Sequence, residues 1–416
     1  MRKAIKISAG FFLLLFLSWI IFLNCKLYHR PEFIACGQVE INADVLNKLR
    51  FLETGMHQGE ADRMQTYFPE GFVFMNALYG LSWCEVAKVA GHSSGLYREA
   101  HNEIRFSYSE INSDKGKKIF EKYMPIPYGV FYSGWNNYLL GKKLSIENET
   151  ERDSNEVNLY HEQSDAIAAA LQNPETPFPE SYQYAAWPSD VMVAVASLAL
   201  EKEIGQPVHR KIIDKWLSDI KTRLDTNGLI PHSVFYTDGK PKNLAEGNSQ
   251  SLILNFLYDI DSSFARQQFN IYKSKFLTTR FGLPAIRQFP DGVDGSGDID
   301  SGPVIFGIGG AASIVGLRTM TIFGEQKTAV GLRNSIEAFG FSSTSNGEKK
   351  YLFGKMPMAD AFIVWANSAA ITKSRMISTD GNWRWKFQLY SLIMVMLSGF
   401  ALLKMWNVGF VKFKKK

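Results

Sequence analysis

Four carboxylates crowd one stretch of the chain. Asp291, Asp294, Asp298 and Asp300 all fall within residues 289–317, FPDGVDGSGDIDSGPVIFGIGGAASIVGL. Glycines at 292, 295 and 297 suit a tight loop, because glycine tolerates positive φ. Asp298 and Asp300 are spaced i, i+2, so both can face one ligand. Neighbouring acids whose pKa values are driven apart by burial and repulsion make a proton donor and a proton acceptor. Pro303 and the small apolar residues after it predict a buried helix over 304–323. The acids then stand at its N-terminus, where free N–H groups and the dipole favour negative charge. Capping accounts for Asp300 or Ser301 alone. Four acids in a glycine-rich loop before one buried helix point further, to a ligand or a reaction.

Other acids occupy equivalent places. Glu70, Asp190 and Asp360 follow Pro69, Pro188 and Pro357, each of which opens an apolar segment. Glu246 precedes Gly247-Asn248-Ser249, a good capping set. First-turn acids also answer the helix dipole without any chemistry. Aromatic residues share these loops: Tyr67, Tyr128, Tyr132, Trp135, Tyr184, Trp187 and Tyr236. Aromatic walls with a few acids suit carbohydrate rings and isoprenoid chains alike, and core packing is their competing use. The expected catalytic set is Asp298, Asp300, Glu70, Glu246 and Tyr236. The expected substrate-binding set is Tyr67, Tyr128, Tyr132, Trp135, Tyr184, Trp187, Asp190 and Asp360.

The elements that must position these residues follow a rhythm. Pro69, Pro127, Pro188, Pro303 and Pro357 recur at a period of roughly 55–60 residues, with one interval of twice that length. The missing start falls at 246–249. Apolar segments at 72–90, 128–140, 189–203, 249–258, 304–323 and 359–370 read as buried helices. More amphipathic segments alternate with them at 43–52, 97–109, 155–171, 211–224, 262–276 and 326–339. Strand signals are scarce. Six helical hairpins of this kind predict an all-α, closed (α/α)6 toroid over residues 31–380, with an inner barrel and an outer layer. The loops entering the inner helices would gather at one mouth.

Two apolar runs flank this body, at 7–23 and 387–403. Both are near the length of a membrane-spanning helix. No small-residue cleavage site follows the first, which favours a retained anchor over a signal peptide. Trp383, Trp385 and Trp406 bracket the second as an interfacial belt would. Basic residues in the tails 1–6 and 404–416 suggest that both ends are cytoplasmic and the body extracytoplasmic, in a bacterium periplasmic. Eight of the 46 Lys and Arg lie in these end segments, leaving 38 against 41 acids elsewhere. The body therefore lacks the basic stripe of a nucleic-acid-binding protein. The seven histidines show no metal-ligand spacing, and no nucleotide loop is present, so no cofactor is expected and no metal site beyond a Ca²⁺ contact at the Asp-rich loop 291–300. His161 and His232 have no visible partner and read as structural. Cys36 and Cys84 are the candidate pair for a disulfide in an oxidising compartment, with two free thiols as the alternative.

From Tyr128 to Ala370 the order of segments resembles the linalool dehydratase-isomerase group. The similar stretches are SGWNNYLLGKKLS, DAIAAALQNP, SYQYAAWPSDVMVAVASLAL, DKWLSDIKTRLDTNGLIPHSVFYTDGKPKNLAEGNSQS, LNFLYDIDSSFARQQFNIYKSKF and GDIDSGPVIFGIGGA. The resemblance implies an (α/α)6 toroid, with Asp298 and Asp300 matching an acidic D-x-D motif at an inner helix and Tyr236 matching a tyrosine of the cleft. Trp187 and Trp135 stand where that group has a cysteine and a histidine. Neither can carry protons as those side chains do, so the fold carries over better than the reaction. The expectation is a membrane-anchored enzyme, an acid–base lyase, isomerase or hydrolase acting on an isoprenoid or sugar-containing molecule of the cell envelope. A non-catalytic ligand-binding or scaffold protein is the alternative.

Overall fold

The computed structural model describes residues 2–37, 39–205, 207–372 and 381–406. The expected tail beyond 406, and the end of the body at 373–380, lie outside the described residues. The principal helices in chain order are α1 (Arg2–Lys26), α2 (Ala43–His57), α3 (Gly71–Val89) and α4 (Gly95–Asn112). Then come α5 (Gly129–Ile146), α6 (Ser154–Ala170), α7 (Pro188–Ala199), α8 (Arg210–Lys221) and α9 (Gly247–Ile260). The last are α10 (Ser262–Phe276), α11 (Gly310–Ile322), α12 (Gln326–Phe339), α13 (Pro357–Ser368) and α14 (Trp385–Met405).

The ring closes. Helix α3 packs on α5, α5 on α7, α7 on α9, α9 on α11, α11 on α13, and α13 returns to α3. These six are the inner barrel of an all-α (α/α)6 toroid. Helices α4, α6, α8, α10 and α12 each pack outside the inner helix that precedes them. The sixth outer place is filled from the other end of the chain, because α2 packs on α13. Backbone bonding joins these ends as well: the Asn42 N–H donates to the Ile371 carbonyl over 2.8 Å. Inner helices are apolar on every side because they are covered on every side. Outer helices carry an apolar stripe and a wet face; α8 buries only Ile213, Trp216, Leu217 and Ile220.

The bore of the barrel is filled. Trp135 of α5 meets Phe74 of α3 and Phe256 of α9, each at 5.5 Å between ring centroids. Phe256 in turn stacks on Trp365 of α13 at 6.0 Å. Trp135 with Phe256 and Phe256 with Trp365 join inner helices that are not neighbours in the ring, so these rings plug the barrel between its two ends.

One expectation needs correction. Pro303 does not open a helix. A two-residue hairpin, Val304–Ile305 paired with Ile308–Gly309, intervenes, and α11 starts only at Gly310. Its loop, Phe306-Gly307, has φ of 54° and 78°, which is the type I′ geometry that matches strand twist. Strand is scarce, as expected, and confined among the described residues to five antiparallel two-stranded ribbons of two to four residues a strand. Asn346-Gly347 turns one of them. Asparagine-glycine is the strongest short hairpin signal a sequence carries.

Helices α1 and α14 are long and apolar enough to cross a membrane, and they lie against each other. Lys26, at the end of α1, donates to the Ser342 carbonyl over 2.7 Å, and a small apolar cluster including Leu23, Leu27, Leu283, Val330 and Phe387 joins both helices to the toroid. Cys25, Cys36 and Cys84 are free thiols.

Candidate functional site

The inner helices run parallel, so their N-termini share one end of the barrel. Glu70 is the residue before α3, Asp190 lies in the first turn of α7, and Glu246 precedes α9. Asp298 and Asp300 sit in the loop leading to the 304–309 hairpin and α11. Glycine at the head of α9 makes the approach of that loop possible. A Cβ on Gly247 would stand 1.9 Å from the Arg287 carbonyl oxygen, and the Gly247 N–H donates to the Gln288 carbonyl over 2.7 Å. The Gln288 side chain then donates to Glu246 over 2.9 Å and to Asn248 over 3.0 Å.

Electrostatics record how close the acids are. Asp190 is 7% exposed. Burial first, then the charges of Glu70 and Asp300, lift its pKa to about 7 against hydrogen bonds from Ser181 and Ser189. Asp300 is reached by solvent at the rim, yet protein crowds its carboxyl. That desolvation, then Glu70, Asp298 and Glu246, lift it to about 6. Asp298 goes the other way. Burial opposes its ionisation, but hydrogen bonds from Ser301, the field of His232 and the Asp300 N–H outweigh it, and its pKa falls. Its Oδ1 accepts from the Asp300 N–H at 3.1 Å and the Ser301 N–H at 2.8 Å, an Asx turn that fixes the loop. Tyr182 shares the Glu70 carboxylate, and burial with the Asp190 charge pushes its hydroxyl well above the usual phenol range.

A second group adjoins the first. Ligating atoms of His232, Glu246 and Asp298 all lie within 4.8 Å of one another, near enough to exchange a proton or to hold one cation. His232 is 7% exposed, and its Nδ1 has no hydrogen-bond partner. The loop carrying it is clamped on both sides. Gln250 donates to the Ile230 carbonyl over 2.6 Å, and the Val234 N–H donates to the Ala186 carbonyl over 3.1 Å. Asp225 joins this loop to the start of α9, accepting from Leu229 N–H at 3.0 Å and Ala245 N–H at 2.9 Å. Sequence reading set His232 aside for want of a partner and passed over Tyr182 as a role. Their partners come from other hairpins, and only the position of both in mouth loops signalled them.

The aromatic candidates divide. Tyr184 and Tyr236 pair at 5.7 Å and are exposed, and Trp187 meets Tyr182 edge-on at 5.5 Å. Tyr67 is also exposed. Tyr128 takes a left-handed backbone, φ 65°, ahead of α5 and packs on Tyr132 at 5.3 Å. Tyr132 itself is buried, with its hydroxyl donating to the Ile111 carbonyl of α4 over 3.1 Å, so it faces the outer layer. Trp135 is fully buried in the plug of the bore and lines no open cleft. Asp360 is fully buried too. It lies 3.7 Å from Lys48 of α2 and accepts from the Tyr351 N–H over 3.1 Å, so it belongs to the closure of the ring and not to the mouth. A first-turn acid points outward as readily as inward, and helix phase decided this one.

The far end of the barrel holds a separate cavity of about 340 Å³, lined by Glu85, Tyr138, Lys142, Asp259, Arg318 and Trp365. Its charges are matched: Arg318 bonds Glu85 at 2.9 Å and the Tyr138 hydroxyl donates to Asp259 over 3.2 Å. Among the described residues no Lys or Arg pairs with Glu70, Asp190, Glu246, Asp298 or Asp300, whose one basic neighbour is His232, and that sets the two ends apart chemically.

No family model matches the chain. No curated protein matches it either. Among solved structures it is similar to a D-mannose isomerase, at 9% identity and TM-score 0.45 over 84% of this chain and 97% of that one. It is also similar to an unsaturated glucuronyl hydrolase from Bacillus sp. GL1 responsible for the degradation of glycosaminoglycan, at 10% identity and TM-score 0.39 over 87% and 96%. Likenesses this loose identify no substrate for this chain.

Proposed function

We propose that the acidic mouth is an acid–base active site that works on an uncharged, hydroxyl-rich group, as a hydrolase, lyase or isomerase. The observation that carries this reading is the divergence of neighbouring carboxyls: Asp190 and Asp300 are pushed up to about 7 and about 6 while Asp298 is pushed down. Around pH 5 both raised carboxyls hold their protons for donation, and at pH 7 Asp190 still holds about half of its own, while Asp298 stays ionised to receive one. Asp300, at the rim, is the donor to a leaving or carbonyl oxygen. Asp298, Glu246 and His232 form the accepting group, and Glu70, with Tyr182 on its carboxylate, keeps the donors protonated. Tyr184, Tyr236, Trp187 and Tyr67 wall the ligand. A mouth rich in acids and without Lys or Arg among the described residues disfavours an anionic substrate, which favours sugars, polyols or isoprenoid alcohols. Helices α1 and α14 anchor the toroid outside the cytoplasm in this reading, in a bacterium on the periplasmic face of the inner membrane.

The cavity at the far end supports a second reading, a ligand-binding or scaffold protein without turnover. One experiment separates the two. The full chain, reconstituted in nanodiscs, is incubated with neutral glycolipid and polyol fractions of an envelope extract, and products are followed by mass spectrometry. Wild type converts a component; Asp300→Asn and Asp298→Asn bind it and do not convert it. Binding by all three proteins with no product from any refutes the enzyme.

A further inference from the structure

Among the described residues three of the ribbons turn through two-residue loops with positive φ at both positions. One uses Asn346-Gly347, the residues that geometry prefers. The other two use Phe281-Gly282 and Phe306-Gly307, with φ of 50° and 54° at the phenylalanines. A bulky residue is a poor choice for this backbone region. Both phenylalanines are nonetheless directed outward, 58% and 66% exposed, and their rings meet at 5.6 Å. A second pair repeats the pattern: Phe341 and Phe353, φ 51° and 58°, stack at 5.7 Å, and Phe353 is 70% exposed. Contiguous exposed aromatics at turn tips mark a surface that something apolar covers.

Both pairs abut the apolar helices. Phe341 stacks on Phe22 of α1 at 5.9 Å, which sets it about 6 Å, four residues of helical rise, inside Lys26. Gly282 lies against the start of α14, where a Cβ would stand 2.4 Å from Lys386 Cβ and 2.9 Å from the Phe387 nitrogen. Exposed Trp385 and Lys386 stand beside that contact, the residue types that accumulate at a membrane–water interface.

We propose that Phe281, Phe306, Phe341 and Phe353 form a docking rim that inserts into the interfacial layer of the bilayer entered by α1 and α14. The occupant is the lipid surface, because the tips are continuous with the two helices at the depth where those helices turn apolar. The rim also fixes where the mouth opens. The Gln288 N–H donates to the carbonyl of Gly307, at the rim, over 3.1 Å, and the Gln288 side chain holds Glu246 over 2.9 Å. Resting on the acid–base reading above, the substrate is then an amphiphile whose uncharged polar head is presented by the bilayer.

The test uses the full chain in phosphatidylcholine–phosphatidylglycerol liposomes, in a Cys25→Ser, Cys36→Ser background. An environment-sensitive fluorophore is placed singly by Phe306→Cys, Phe353→Cys, Phe12→Cys or Val208→Cys. Lipids carrying a nitroxide high or low on the acyl chain, and aqueous iodide, report depth. The labels at 306 and 353 are expected to be quenched by the shallow nitroxide, the label at 12 by the deep one, and the label at 208 by iodide alone. Quenching of 306 and 353 by iodide alone, with 12 still quenched by the deep nitroxide, overturns the rim and leaves the anchor intact. Lipid quenching at 306 and 353 without any at 12 supports the rim and refutes the spanning helices. Failure at all three sites refutes both. Loss of turnover in Asp300→Asn tests the mouth chemistry independently of any label.

Discussion

Replacing Asp190 by asparagine tests the electrostatics of the mouth without knowledge of the substrate. Asp190 is almost fully buried, and its folded pKa is about 7 against 3.8 for an ordinary aspartate. Below the ordinary value both states bind the proton, and pH has no leverage. Between the two values the unfolded chain releases the proton while the native protein keeps it, so native stability falls as pH rises. Above the folded value both are ionised, and the loss is complete. The gap spans roughly three pH units, and at about 1.4 kcal/mol per unit the loss is ~4 kcal/mol. Asparagine imitates the protonated carboxyl and does not titrate. Asp190→Asn is therefore expected to match wild type near pH 4 and to exceed it by a margin that grows to ~4 kcal/mol by pH 7.5. Urea unfolding of the detergent-solubilised full chain, followed by tryptophan fluorescence at half-unit pH steps, reads this margin. Glu70→Gln, by removing one of the charges that raise Asp190, shrinks it. A margin that stays flat from pH 4 to 8, or that shrinks as pH rises, refutes the claim that Asp190 is held protonated.

Two further outcomes concern the scaffold. Gly247→Ala drives a Cβ into the Arg287 carbonyl and is expected to cost about 3 kcal/mol or more, whereas Gly310→Ala at the head of α11 meets open space and leaves stability unchanged or raises it by about 0.5 kcal/mol; melting temperatures rank the pair. Lys48→Met leaves Asp360 buried beside α2 without its partner; because burial lifts Asp360 and depresses Lys48, each to about 7, Asp360 keeps a proton and the cost expected near neutral pH is ~1–3 kcal/mol, growing as pH rises, with much of the loss restored in Lys48→Met/Asp360→Asn; equal instability of single and double variants would show that the pair does not close the ring electrostatically.

Much of the architecture was legible. The proline spacing and the alternation of all-apolar with amphipathic segments gave six hairpins, and two expected spans, 262–276 and 326–339, coincide with α10 and α12. Periodicity works there because a helix buried on all sides and a helix buried on one side have different sequences. It failed at 303–309, where proline was read as a helix start and a hairpin stands instead. Small apolar residues fit both structures, and the Phe-Gly turn was not recognised as one.

The sequence by itself determined where most inner helices start, because helix starts carry local marks in proline, glycine and capping side chains. It determined the closed ring and the two flanking apolar helices for the same reason: periodicity and hydrophobic length are properties of short windows. Which way each side chain turns was decided by tertiary structure. Asp190 and Asp360 stand at equivalent places in two inner helices. One meets other acids across the barrel, and the other meets Lys48 behind it. Trp135 became the plug of the bore, and His232 found Glu246 and Asp298 on separate loops. Burial and proximity set those fates, and both are sums over partners distant in the chain.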